Sequence, residues 1–144
     1  MAGCERPDAA QKEIKSHVSE RFFDTNIVID MLHNRPAAWA EVRSVTRAWI
    51  SRITWIEVMS GVPDEATKET EEFLRLFAMC EIDEEIGRRA AALRHQRKSL
   101  KSSDAIILAS AQVSGRILVT RNTKDFPAEM PGIRVPYKAP KETK

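Results

Sequence analysis

Short apolar runs that hand over at once to helical patterns constrain this chain most. RFFD, AWIS, MCEID, RILVT and GIRVPY each read as a strand, and helical segments separate them. Such alternation predicts an α/β domain with a parallel sheet, because each helix returns the chain to the same starting edge. RILVT carries a continuous apolar run, Ile117 to Val119, which suits a strand covered on both faces. Pro136 marks the end of a final edge strand.

The intervening segments carry their own signals. TNIVIDMLHNR is helical, with Ile27, Met31 and Leu32 on its apolar side. Pro36 suits the first turn of a helix through about Thr46 that buries Trp39 and Val42. RITWIEVMSG has Thr54 as a plausible N-cap and Gly61 as a stop. Residues 63–78 read as one helix, followed later by the amphipathic EEIGRRAAALRHQRK. Ser102 or Ser103 caps DAIILASAQVSG, which ends at Gly115, and Asn122 to Phe126 forms a short helical turn.

A chain of 144 residues is most simply one domain. Residues 1–20 read as an N-terminal extension, 21–137 as the folded domain and 138–144 as a tail. A net charge of +2 does not by itself announce nucleic-acid binding. No apolar run reaches the length of a membrane span, and no signal core opens the chain. Cys4 and Cys80 lack metal-ligand spacing; Cys80 reads as a buried thiol, and a reduced, cytoplasmic setting fits best.

Four acids lie at the strand-to-helix hand-overs: Asp24, Glu57, Asp104 and Asp125. Ligands of open α/β sheets bind in the crevice at the carboxyl ends of the strands. Four carboxylates delivered there raise one another's pKa and call for a compensating cation. Hard divalent ions such as Mg²⁺ prefer such oxygens. Each acid also has a local explanation. Asp24 can cap the helix that follows, and Thr54-x-x-Glu57 matches a capping box. Asp104 and Asp125 suit the first turn of a helix. Caps contribute about 0.5–2 kcal/mol each. They do not require acids at every junction, so the joint pattern favours a site.

Other chemistries find little support. His17, His33 and His95 share no spacing, and neither GxxxxGK[ST] nor GxGxxG occurs. Asp30 lies six residues into its helix and reads as a surface or supporting residue. The three tryptophans read as core or interface.

FFDTNIVID, ITWIEVMSG, SSDAIILASA and ILVTRNTKDF occur in that order. Together they resemble a PIN domain, specifically the VapC-type ribonuclease toxins of bacterial toxin–antitoxin pairs, over about Arg21 to Tyr137. The resemblance implies a three-layer α/β/α fold around a mainly parallel sheet of four to five strands. It also implies a Mg²⁺ or Mn²⁺ site at Asp24, Glu57 and Asp104. The last acidic position falls on Asn122 or Asp125; Asp125 is favoured because Asn122 offers no charge. Asn26 and Thr120 match small polar positions lining that site. The implied activity is metal-dependent endoribonuclease, with transfer RNA a common target of the family. A cognate antitoxin and homodimerisation are implied too.

On this reading, bound metal lowers the pKa of a water and offsets charge on the phosphorane. Arg97, Lys98, Lys101 and Arg121 are candidates for holding the RNA backbone. Two rivals stand beside it. A receiver-like phosphoacceptor wants paired acids after the first strand and a Lys after a late one, whereas this chain has a lone Asp24 and Arg121. A PIN-fold protein that only binds RNA or a partner is the other.

Overall fold

A computed structural model describes residues 19–139. Most of the expected tail and most of the expected N-terminal extension lie outside the described residues. Strands β1 (Glu20–Phe23), β2 (Arg47–Ser51), β3 (Ala78–Cys80), β4 (Ile117–Val119) and β5 (Ile133–Arg134) form one sheet in the order β3-β2-β1-β4-β5. Every neighbouring pair is parallel. The chain moves outward from central β1 to β3, then crosses back to β4 on the other side. The direction of winding therefore reverses between β1 and β4, which opens a crevice at their carboxyl ends.

Alternation along the strands makes the two faces. Phe22, Trp49 and Leu118 are paired across the sheet and join one buried cluster. Phe23, Ile50 and Val119, each one residue on, join the other. Helices α5 (Glu84–Gln96) and α6 (Ser102–Ser114) supply the first cluster with Ile86, Leu108 and Ala111. Helices α1 (Thr25–Leu32), α2 (Pro36–Arg43), α3 (Arg52–Ser60) and α4 (Thr67–Leu74) supply the second, through Ile27, Met31, Ala38, Val58 and Leu74. The expected three-layer α/β/α architecture is present, with five strands. Helix α6 is buried along most of its length and ends at Gly115, whose φ of 70° suits a residue without a Cβ.

Several local expectations are corrected. Ser51 caps α3 by accepting from the Ile53 N–H, so the helix begins before Thr54, which lies buried inside it. Neither Ser102 nor Ser103 caps α6; Lys101 occupies that position and makes no side-chain cap bond. The segment 63–78 is a 3₁₀ turn followed by α4. Its end tightens through bonds from Leu76 N–H to the Phe73 carbonyl and from Phe77 N–H to the Leu74 carbonyl, turning Phe77 into the core. Ala38 and Glu41 take the buried face of α2, while Trp39 and Val42 are only partly covered. Asn122 to Phe126 makes a single turn, closed by the Phe126 N–H on the Asn122 carbonyl. Cys80 is buried, but it is disulfide-bonded and not a free thiol. Among the described residues no helix is long and apolar enough to cross a membrane.

Candidate active site

Asp24 follows β1 and sits at the reversal of winding. It is 3 % exposed, and each carboxylate oxygen is held. Oδ1 accepts from the Thr25 N–H at 2.7 Å, capping α1. Oδ2 accepts from Thr120 Oγ1 at 2.7 Å and from Asn26 Nδ2 at 3.3 Å. Thr120 directly follows β4, so one hydroxyl joins the ends of both central strands. Asn26 Nδ2 also reaches Thr120 Oγ1 at 3.3 Å, and the Asn122 N–H donates to the same hydroxyl at 3.0 Å.

Glu57 projects from α3 and is solvent-exposed. Thr25 Oγ1 donates to its Oε1 at 2.8 Å. Thr25 has one hydroxyl proton, so at the 2.8 Å contact between the two threonine hydroxyls Thr54 donates to Thr25. A relay from Thr54 through Thr25 to Glu57 results. Asp104 lies in the first turn of α6, where the macrodipole favours negative charge. Asp125 is set by Asn122, whose Nδ2 donates to Oδ2 at 2.9 Å and whose Oδ1 accepts from the Asp125 N–H at 3.3 Å. All four acids line one open cavity of about 380 Å³, with Thr25, Asn26, Lys101, Ser103 and Asn122 around them.

The cavity is electrostatically unsettled. Burial, reinforced by the charges of Asp104 and Glu57, pushes the Asp24 carboxyl up to about 6, despite the bonds from Thr120 and Thr25. Burial also raises Asp104, with Asp125 and Glu57 adding to it and Lys101 and Arg97 opposing. Such a set of hard oxygen donors fits a divalent cation, which would relieve the mutual repulsion. Among the described residues no three such side chains converge closely enough to hold an ion as they stand.

Of the small polar candidates, Asn26 and Asn122 line the cavity, while Thr120 is buried against Asp24. The basic candidates divide. Lys101 lines the cavity, and Arg97 reaches Asp125 Oδ1 at 3.5 Å. Lys98 is exposed but lines neither this cavity nor the larger one beside it. Arg121 is committed elsewhere, because its Nε and Nη2 donate to Asp30 at 2.6 and 3.0 Å. Asp30 is 1 % exposed and hence no surface residue; Tyr137 Oη donates to it at 2.8 Å, and Arg35 lies 3.4 Å away. Burial would raise Asp30, but the bonds from Arg121 and Tyr137 outweigh it and hold the carboxyl below its ordinary value. Sequence reasoning missed Thr25, Thr54 and Ser103 as site neighbours. The available signal was Thr25 between Asp24 and Asn26, and a Thr three residues before Glu57.

The sequence model of the PIN domain matches residues 21–128. The ribonuclease VapC19 of Mycobacterium tuberculosis is 28% identical over 125 residues, covering 81% of this chain and 99% of that protein. A toxin-antitoxin complex from Klebsiella pneumoniae contains a chain 42% identical, with a TM-score of 0.76, covering 83% of this chain and 99% of the other. FitAcB from Neisseria gonorrhoeae shares the fold at 24% identity and a TM-score of 0.66, over 80% of this chain and 96% of its own. With most of its length matched, and with acids gathered at the reversal of its parallel sheet, this chain belongs to the PIN domain family.

Proposed function

We propose that this protein is a metal-dependent endoribonuclease and the toxin of a toxin–antitoxin pair. The observation that carries the proposal is the gathering of Asp24, Glu57, Asp104 and Asp125 around one cavity, with Asp24 buried and lacking a cationic partner bond. The ribonuclease and toxin-antitoxin likenesses support it.

The four acids would hold Mg²⁺ or Mn²⁺, which when bound supplies a water of lowered pKa and a counter-charge for the reacting phosphate. Thr120 and Asn26 fix the direction of Asp24, Thr25 fixes Glu57, and Asn122 fixes Asp125. Water attacks phosphorus, one P–O bond breaks, and the leaving oxygen takes a proton. Arg97 and Lys101 at the rim of the acids reduce repulsion of the RNA backbone. Transfer RNA is a candidate substrate. A cytoplasmic setting goes with this reading.

An antitoxin would silence the site by placing an Arg guanidinium among the carboxylates, where it can fork onto them. Homodimerisation would cover apolar surface on the helices before the site. Ile56 on α3 is 46 % exposed and suits that role better than Met59, which is partly buried against the core. A non-catalytic RNA- or partner-binding role is the second reading, favoured by the absence of three converged ligands among the described residues.

Cleavage of RNA by purified protein separates the two readings, assayed with Mg²⁺, with Mn²⁺ and with chelator beside Asp104→Asn. The nuclease predicts metal-dependent cutting reduced roughly a thousandfold in the variant, about 4 kcal/mol of barrier. Cutting that survives both chelator and variant would sink the mechanism. Intact RNA throughout would favour the binding role.

A further inference from the structure

The acidic cavity opens beside a second, larger one of about 910 Å³, and Lys101, Asn122 and Asp125 line both. The larger cavity is built from the end of α5, the loop to α6, and the loop between β4 and β5. Arg97, Lys101 and Lys124 line it, against Asp125 and Glu129. Arg97 lies 3.5 Å from Asp125, so a cation already faces the acid on the shared wall. Pro127 and Met130 supply an apolar wall, and Met130 packs on the core cluster behind it. Three cations and an apolar wall next to a proposed cleavage site match the two chemistries of a nucleotide: phosphate and base.

We propose that this larger cavity seats the nucleotide flanking the scissile phosphate in single-stranded RNA. Lys124 and Arg97 hold its backbone, and Met130 with Pro127 faces its base. The inference rests on the nuclease reading for its orientation, and it singles out Lys124 and Met130 as binding residues. Asn122, between the cavities, both orients Asp125 and forms their common wall. Arg121 has no part in it, since Asp30 occupies its guanidinium.

The test is binding of a fluorescent single-stranded RNA octamer, measured with Mg²⁺ in the Asp104→Asn background across a salt series. Lys124→Glu should weaken binding about tenfold and flatten the salt slope by about one. Met130→Ala should weaken it about threefold and leave the slope unchanged, as loss of an apolar contact does. Lys68→Glu, on α4 away from both cavities, controls for net charge and should stay within about twofold. In the cleaving protein Lys124→Glu should raise KM and leave kcat nearly constant. Equal effects of Lys124→Glu and Lys68→Glu, or unaltered binding in both cavity variants, would overturn the subsite whatever the cleavage assay gives. A specific loss at Lys124 with no cleavage in any protein would uphold the subsite and remove the nuclease reading alone.

Discussion

Two buried aspartates six residues apart have opposite fates. Asp24 and Asp30 are 3 % and 1 % exposed, and both belong to the segment formed by the end of β1 and helix α1. Asp30 meets Arg121, Arg35 and Tyr137, and its carboxyl stays below the ordinary range. Asp24 meets hydroxyl and amide donors only, faces other acids, and rises to about 6. Burial costs both residues; a guanidinium bonds directly to one, whereas the other is bonded by hydroxyl and amide groups and feels Arg121 at a distance. The compensated acid ties the loop after β4 and the segment around Tyr137 to α1. The other faces the acidic cavity and, on the proposed function, is the one that meets a cation. A buried carboxylate thus points to function when its charge is left unbalanced.

The largest expected effect lies on the compensated side. Arg121→Met leaves Asp30 buried with Tyr137 and a more distant Arg35. It should cost about 3–4 kcal/mol in chemical denaturation, the range for breaking a buried pair. RNA affinity of the variant that remains folded should change little. A loss under 1 kcal/mol with clearly weaker RNA binding would break the comparison and return Arg121 to the RNA-contacting role its sequence position suggests.

Proton linkage sharpens the contrast, because the two residues should tilt stability in opposite directions. The folded-state pKa of Asp24 lies above its ordinary value of 3.8, so between about 4 and 6 the native protein holds a proton the unfolded chain has lost. Metal-free stability should therefore fall as pH rises through that window, by up to about 3 kcal/mol from Asp24. The Asp30 carboxyl is lowered, so its contribution is present above pH 4 and is lost as pH falls below its unfolded value. Denaturation midpoints of wild type, Asp24→Asn and Asp30→Asn between pH 3 and 8 would resolve the two slopes. Millimolar Mg²⁺ should restore stability above pH 6 in wild type and not in Asp24→Asn. Parallel slopes for the two variants would dissolve the distinction.

The same contrast explains how far the sequence could be read. Strand–helix alternation and the apolar character of RILVT foretold the parallel sheet, because a buried strand must be apolar on both faces. The acids at the hand-overs foretold the pocket, because the carboxyl ends of parallel strands meet at one edge. Partnership was not legible. Arg121 and Asp30 are 91 residues apart in sequence, and only the packing of β4 beside β1 brings them together. Without that pairing, Arg121 reads as one more cation near the site and Asp30 as a surface or supporting acid with no named partner. Thr54 failed for a shorter-range reason. Two hydroxyl residues, Ser51 and Thr54, competed for one cap, and Ser51 won because β2 ends there. Thr54 was then free to serve Thr25.

That relay supplies the smallest prediction. Glu57 is the exposed member of the acidic set, and its orienting bond comes from Thr25 Oγ1. Thr25→Val keeps the shape of the side chain and removes both hydroxyl contacts. It leaves the Thr25 N–H that caps onto Asp24 intact. Stability should fall by about 1 kcal/mol, the net worth of a hydrogen bond, since Thr54 is buried and loses its partner. Metal affinity, read from Mg²⁺-dependent thermal stabilisation, should drop about tenfold, as for other residues that orient a ligand. Thr25→Ser keeps the hydroxyl and should restore most of it. If Thr25→Val binds metal as wild type does, Glu57 needs no orientation, and the site's preorganisation rests on Asp24 with Thr120 and Asn26.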